Sequence, residues 1–153
     1  MSSGNGKVEC PRNKTHWDER AHIVCNDSMT QKGLDYHCLP TDNLNTTEER
    51  CLAAKKITKG SPFSIDNKFV FHRGLYFHNT KFNFYSTDHC AIYNTYINDV
   101  SFDQYQSCSE KNITNCPDKS YNSDEIYKYP SCLEIDPDNA CYIAASACSE
   151  TRR

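Results

Sequence analysis

Ten cysteines in a chain of 153 residues limit its possible folds more than any other feature of the sequence. They are Cys10, Cys25, Cys38, Cys51, Cys90, Cys108, Cys116, Cys132, Cys141 and Cys148. A large and even number of cysteines indicates an oxidising compartment, because cytosolic thiols would keep these side chains reduced. Zinc ligation is the alternative, but zinc sites show close pairs such as Cys-x-x-Cys, and the shortest interval here runs from Cys141 to Cys148. We therefore predict five disulfides and no metal or other cofactor, and the connectivity stays open.

The chain is lean in apolar residues for its length. Hydrophobic residues make up 37% of the sequence, so we expect the disulfides to supply stability that a small core lacks. The formal net charge is −3 and no block of like charges occurs, which argues against nucleic acid as a partner. No stretch approaches the roughly 18 apolar residues of a membrane span, so no membrane insertion is expected within this chain.

Acceptors for N-linked glycans point to the same oxidising compartment. The four Asn-x-Ser/Thr sequences begin at Asn13, Asn26, Asn45 and Asn112. Four is a mild excess over chance, and its weight comes from agreement with the cysteines. We predict an extracellular glycoprotein, either secreted or at the cell surface. Asn45 is the least certain acceptor, since it directly precedes a predicted helix cap.

The N-terminal part of the chain has the pattern of a short helix. From Trp17 onwards apolar residues recur at helical spacing, and Thr15 and Asp18 are placed like an N-cap and its matching carboxylate. The pattern predicts a helix that ends near Cys25.

Two further helical segments are expected. Residues 46–56 begin with a capping box, Thr46-x-x-Glu49, and end in two lysines, which predicts a helix that carries Cys51. Residues 123–129 predict a helical turn that Pro130 stops.

Residues 61–102 differ in character, because large apolar residues, most of them phenylalanines, fall in period-two pairs. The pairs involve Phe69, Phe71, Leu75, Phe77, Phe82 and Phe84, and turn signals interrupt them. We expect this strand and hairpin region, which holds Cys90 alone among the cysteines, to carry the apolar core. The predicted fold class is a small disulfide-rich α+β fold with short helices flanking a central antiparallel strand and hairpin region.

A single cysteine-rich extracellular domain is expected over residues 10–148. Residues 1–9 are expected to form a flexible lead-in and residues 149–153 a tail. Because Met1 to Gly6 lacks the apolar stretch of a signal peptide, we expect a leader to have been removed.

The element Glu-Ile-Tyr-Lys-Tyr-Pro-Ser-Cys-Leu at residues 125–133 resembles a segment of an uncharacterised family of cysteine-rich ectodomains. The family belongs to membrane proteins of bivalves and related invertebrates. Residues 36–40, 49–51, 57–60 and 115–118 fit the same family. One departure is that Ser61-Pro62 follows Gly60 where such domains are expected to carry a cysteine, a role that Cys90 would have to take. The resemblance implies a receptor-like extracellular domain, without a ligand or an activity.

Histidines provide the best candidates for catalysis. His72, His78 and His89, with Asp88 nearby, could suggest general acid/base chemistry or a metal site. No Gly-x-Ser-x-Gly, His-Glu-x-x-His or phosphate-binding loop accompanies them, and they fall in the predicted hairpin region. We therefore predict that the protein is not an enzyme and has no catalytic residues.

The run Asp136-Pro137-Asp138-Asn139 is rich in oxygen ligands. It lacks the Gly and closing Glu of an EF-hand loop, so it predicts a turn rather than a calcium site.

Tyrosines near the C-terminus are the predicted binding residues. Tyr121, Tyr127 and Tyr129 alternate with charged residues in a composition typical of protein interfaces. The alternative is that Tyr127 or Tyr129 packs on a neighbouring disulfide.

These features predict an extracellular recognition or adhesion module that binds a protein or glycan ligand at a cell surface. Two alternatives stay open. One is a secreted effector such as an inhibitor, a toxin or a small hydrolase. The other is a structural protein that associates with copies of itself through its strand edges.

Overall fold

The computed structural model describes residues 8–58, 89–102, 106, 108, 115–145 and 148. It has a small disulfide-rich α+β fold. In chain order the elements are α1 (Lys14–Val24), α2 (Asp27–Gln31), β1 (Asp35–Pro40), β2 (Thr47–Leu52), β3 (Lys56–Ile57), β4 (Ala91–Asn94), β5 (Asp99–Phe102), β6 (Tyr121–Asn122), two 3₁₀ helices (Ser123–Lys128 and Pro130–Cys132), β7 (Ile135–Asp136) and β8 (Cys141–Tyr142). The strands form four antiparallel pairs, which are β1–β2, β3–β6, β4–β5 and β7–β8.

Helix α1 confirms the helix predicted before Cys25, but its cap differs from the prediction. Asn13 caps the helix, because its side-chain oxygen accepts a hydrogen bond from the backbone N–H of His16 at 2.9 Å. Thr15 lies inside the helix instead. The short helix α2 was not predicted, and Asn26 caps it in the same way, accepting from the N–H of Met29 at 2.9 Å.

The helix predicted over residues 46–56 is wrong, since this segment forms β2 and β3. Strand β2 pairs with β1 and alternates between two faces. On one face Glu49 binds Arg20 of α1, and Cys51 is bonded to Cys25 at the end of that helix. On the other face Arg50 lies over the Tyr93 ring at 4.8 Å. These tertiary partners require a period of two, and they override the local capping pattern.

The helical turn predicted at residues 123–129 is confirmed as the first 3₁₀ helix. This helix ends at Lys128, just before Pro130, and Pro130 begins the second 3₁₀ helix. The turn predicted at residues 136–139 is also confirmed. It joins β7 to β8, and the carbonyl of Asp136 accepts a hydrogen bond from the N–H of Ala140 at 2.7 Å.

The described part of the predicted hairpin region is the β4–β5 hairpin. The six residues predicted to form strand pairs between Phe69 and Phe84 lie outside the described residues. The hairpin contributes Ala91, Tyr93 and Val100 to a buried cluster that also contains Trp17 and Ile126. The core within the described residues therefore draws on the flanking helices as well as on the hairpin.

All ten cysteines are paired, which confirms the prediction of five disulfides. The pairs are Cys10–Cys38, Cys25–Cys51, Cys90–Cys132, Cys108–Cys116 and Cys141–Cys148. The first two hold the ends of α1 against the β1–β2 sheet. The third joins the start of β4 to the second 3₁₀ helix, and the last two close short loops. Within the described residues, no helix combines the length and the apolar character needed to cross a membrane.

Candidate functional site

The turn between β4 and β5 displays two large apolar side chains next to each other. Tyr96 is 85% exposed and Ile97 is 57% exposed, although most large hydrophobic residues of the described chain are buried or half-buried. Single exposed apolar residues are normal on protein surfaces, and Ile23 on α1 is one of them. Two adjacent ones at the tip of a hairpin form a more specific feature, which we call the 94–98 turn.

Hydrogen bonds from within the hairpin hold the 94–98 turn in shape. The side-chain oxygen of Asn94 accepts from the backbone N–H groups of Tyr96 at 2.9 Å and Ile97 at 3.4 Å. Asn98 has a left-handed backbone with φ of +55°, which asparagine tolerates better than most residues. Its side-chain oxygen accepts from the Tyr93 hydroxyl at 2.9 Å.

A second anchor comes from the loop between β1 and β2. The carboxylate of Asp42 accepts from both the backbone N–H and the hydroxyl of Thr95, each at 2.8 Å. Burial alone would raise the pKa of Asp42, but these hydrogen bonds outweigh it and lower the pKa, so the carboxylate stays charged. The turn is thus fixed to a second loop 53 residues earlier in the chain.

The three predicted binding tyrosines are less exposed than the prediction requires. Tyr121 is only 6% exposed, and its hydroxyl accepts from the N–H of Ala91 and donates to the carbonyl of His89. Tyr121 is therefore a buried residue that joins β6 to the start of β4, and this position does not favour a direct contact with a ligand.

Tyr127 and Tyr129 are half-buried, and their role in binding stays a prediction. The ring of Tyr127 packs against Trp17 with centroids 5.2 Å apart, and that of Tyr129 packs against Tyr121 at 4.8 Å. Burial raises the pKa of the Tyr129 hydroxyl.

Among the histidines of the predicted catalytic cluster, His89 is the one that the structure describes. It is 8% exposed, stacks on Phe102 at 4.5 Å, and its Nδ1 lies 3.0 Å from the carbonyl of Thr58. His72, His78 and Asp88 lie outside the described residues. The contacts of His89 are those of a residue that holds β4 against the end of β3.

A different histidine, His37, has a serine at the distance of a catalytic pair. Its Nδ1 lies 2.9 Å from the carbonyl of Asp35, which can only accept, so Nδ1 carries the proton. Its Nε2 therefore accepts from the Ser123 hydroxyl at 2.8 Å. Ser123 Oγ accepts in turn from the backbone N–H of Lys55 at 2.9 Å.

This arrangement has the spacing of a nucleophile and its base, but it lacks access. His37 and Ser123 are both fully buried, and Lys55 occupies the serine oxygen that a substrate would have to approach. Burial also lowers the pKa of His37, which keeps the imidazole neutral. We assign the pair a structural role, in which it joins β1, the segment before β3 and the first 3₁₀ helix.

Three of the four predicted glycan acceptors are exposed. Asn13 and Asn26 cap α1 and α2 through their side-chain oxygens, and a glycan would be attached to the amide nitrogen instead. The amide nitrogen of Asn13 also lies 3.4 Å from Nδ1 of His16 on the exposed surface. Asn45 lies in the loop between β1 and β2, so the expected crowding by a helix does not apply to it. Asn112 lies outside the described residues.

The 94–98 turn was not predicted, although its sequence contains a signal. Asn94 and Asn98 frame Tyr96 and Ile97, so two turn-forming residues enclose apolar residues that a strand would otherwise bury. The alternation of polar and apolar residues within the hairpin did not reveal which apolar residues stay exposed.

Comparison of the chain with known proteins finds no matching family model, no matching curated protein and no matching solved structure.

Proposed function

We propose that this protein is an extracellular recognition module that binds a protein partner through Tyr96 and Ile97 on the 94–98 turn. The observation that carries the proposal is the exposure of these two side chains on a turn fixed by five hydrogen bonds from neighbouring side chains. A turn that is already ordered loses little conformational entropy on binding, so more of the contact energy contributes to affinity.

The residue types favour a protein as the partner. Tyrosine offers a large amphipathic surface with few rotatable bonds, and it is enriched at binding hot spots. Ile97 beside it presents only hydrocarbon, which suits an apolar pocket rather than the hydroxyl groups of a glycan. The partner surface is therefore a pocket lined by apolar side chains with a polar group for the tyrosine hydroxyl.

Extracellular placement is part of the proposal. Five disulfides in the described fold are consistent with an oxidising compartment. The exposed acceptors Asn13, Asn26 and Asn45 support a glycoprotein. The resemblance of residues 125–133 to cysteine-rich ectodomains supports a receptor-like parent protein.

Site-specific photocross-linking tests the proposal. A benzoylphenylalanine replaces Tyr96 in one variant and Ile23 in the control, because Ile23 is a comparably exposed apolar residue on α1 at 70%. Each variant is added to intact cells of the source organism and irradiated. We expect a discrete cross-linked protein from position 96 that excess unlabelled wild type suppresses, and none from position 23. Equal labelling from both positions, or none that wild type suppresses, would refute a binding role for the turn.

A further inference from the structure

Two disulfides bring three sulfur atoms together in the core. The sulfur atoms of Cys90, Cys108 and Cys132 lie within 4.8 Å of one another, and all three residues are buried. Cys90 and Cys132 are bonded to each other, whereas Cys108 is bonded to Cys116. The sulfur of Cys108 therefore lies beside both sulfurs of the Cys90–Cys132 disulfide.

This proximity is what thiol–disulfide exchange requires. A thiolate attacks one sulfur of a disulfide and displaces the other, so a free Cys108 would have a disulfide within reach. Rotation of a cysteine about χ1 from one staggered rotamer to another moves its sulfur by about 3 Å without moving the backbone. The exchange therefore needs a change of rotamer rather than unfolding of the chain.

Cys116 is the sulfur through which an external thiol would enter. It is 3% exposed, and its neighbour Asn115 and the residues from Asp118 to Ser120 are exposed. Its disulfide joins residues that are only 8 apart in the sequence. Cys90, Cys108 and Cys132 are 0% exposed, so Cys116 is the one of these four cysteines with any exposed surface.

We propose that the Cys108–Cys116 disulfide is a thiol-exchange site that relays the attack of an external thiol to the Cys90–Cys132 disulfide. The external thiolate attacks Cys116, forms a mixed disulfide with it and releases Cys108 as a thiolate. Cys108 then attacks Cys90 or Cys132, forms a new internal disulfide and releases the other residue as a thiolate. Two disulfides and one thiolate are present before and after, so no oxidant or reductant is consumed. The substrate class is a low-molecular-weight thiol or an exposed cysteine of another protein.

A matched pair of variants tests the relay inside the protein. C116S leaves Cys108 as a free thiol beside the Cys90–Cys132 bond, and C108S leaves Cys116 free instead. After alkylation at low pH and peptide mapping, C116S should show Cys108 bonded to Cys90 or Cys132 in more than about one molecule in ten, because the Cys108 thiolate lies beside that disulfide and can attack it. C108S should keep the Cys90–Cys132 bond. A C116S protein in which Cys108 stays free and Cys90–Cys132 stays intact would overturn the proposal.

Wild-type protein provides a second test that does not depend on the folding of a variant. The folded protein is incubated with glutathione at neutral pH, quenched with acid and mapped. We expect glutathione on Cys116 together with a bond between Cys108 and Cys90 or Cys132. Glutathione on Cys116 with Cys108 free, or no adduct on Cys116 while another cysteine reacts, would contradict the relay.

Discussion

Asn13 can cap a helix and also carry a glycan, because the two roles use different atoms of its side-chain amide. Its oxygen caps α1, and its nitrogen is the atom to which a glycan would be attached. Asn13→Asp keeps the capping oxygen and removes the acceptor, whereas Thr15→Ala keeps the cap and also removes the acceptor. We predict that both variants lose the same glycan mass when made in a secretory host.

The stability of unglycosylated protein separates the two purposes. Asn13→Asp and Thr15→Ala should leave the free energy of unfolding near that of wild type, and Asn13→Ala should lower it by about 1 kcal/mol through loss of the cap. Urea unfolding measures these values. If Asn13→Asp were as destabilising as Asn13→Ala, the capping role of the side-chain oxygen would be excluded.

Burial of His37 predicts a specific dependence of stability on pH. Burial lowers the pKa of His37 from its ordinary value of 6.5, although Asp35, Asp99 and Asp124 act in the opposite direction. The unfolded chain therefore takes up a proton near pH 6.5, which the folded protein does not yet bind. Stability should be constant with respect to this group above pH 6.5 and should fall as the pH drops below it, by at most about 1.4 kcal/mol per pH unit.

His37→Gln tests this prediction, because a neutral amide cannot take up the proton. The free energy of unfolding, measured between pH 7.5 and 5, should lose part of its dependence on pH in this variant. Stability that comes from Glu49 is a separate effect. Arg20 lowers the pKa of that carboxyl, so its contribution is lost only as the pH falls below 4.5. Identical pH profiles for wild type and His37→Gln would contradict the buried, neutral imidazole.

For single elements, the local pattern predicts a helix correctly only where the tertiary contacts of its residues agree with it. The pattern around Trp17 agrees with its tertiary surroundings, and α1 forms where it was expected. Residues 46–56 carry a capping box, but Glu49 and Cys51 both have partners on α1, which only a period of two can satisfy. The position of Arg20 and the pairing of Cys25 decide that this segment forms strands rather than a helix, and neither can be read from the local sequence.

The contact between Glu49 and α1 can be tested directly. Glu49 accepts from Arg20 at 2.7 Å through each of its oxygens and also from the Tyr36 hydroxyl at 2.7 Å. We predict that Glu49→Gln lowers the free energy of unfolding by about 1–2 kcal/mol, a value limited by the partial exposure of Arg20. Asp18→Asn is the matched control, because it removes an exposed ion pair with Lys14 on the same helix and should cause no measurable change. A Glu49→Gln variant as stable as the control would show that this contact does not hold the helix.

For the molecule as a whole, the number of cysteines predicted five disulfides and the fold class, but the pairing could not be derived. Connectivity depends on which elements pack together. Cys25 meets Cys51 only because β2 lies beside α1, and Cys90 meets Cys132 only because the second 3₁₀ helix packs near the start of β4. The 94–98 turn was not predicted for a similar reason, since the exposure of Tyr96 depends on the hairpin and on Asp42.

The disulfides should differ in their contribution to stability. Cys90–Cys132 joins residues 42 apart, and Cys141–Cys148 joins residues 7 apart. The chain-entropy model predicts that C90A/C132A lowers the free energy of unfolding by about 1.5 kcal/mol more than C141A/C148A does. The cavity left by the fully buried pair adds to the same difference. Guanidinium unfolding of both variants measures it, and equal losses would mean that loop length does not govern the stability of this fold.

An equilibrium titration on cells tests the claim that the 94–98 turn is a binding surface. Fluorescently labelled wild type, the double variant Tyr96→Ser with Ile97→Ser, and the control Ile23→Ser are titrated onto intact cells of the source organism by flow cytometry. All three replacements are at exposed positions, so each protein should keep its fold, which circular dichroism checks. We predict saturable binding of wild type and of Ile23→Ser with the same Kd, and a loss of roughly 30-fold or more for the double variant. Saturable binding with an unchanged Kd in the double variant would contradict the claim.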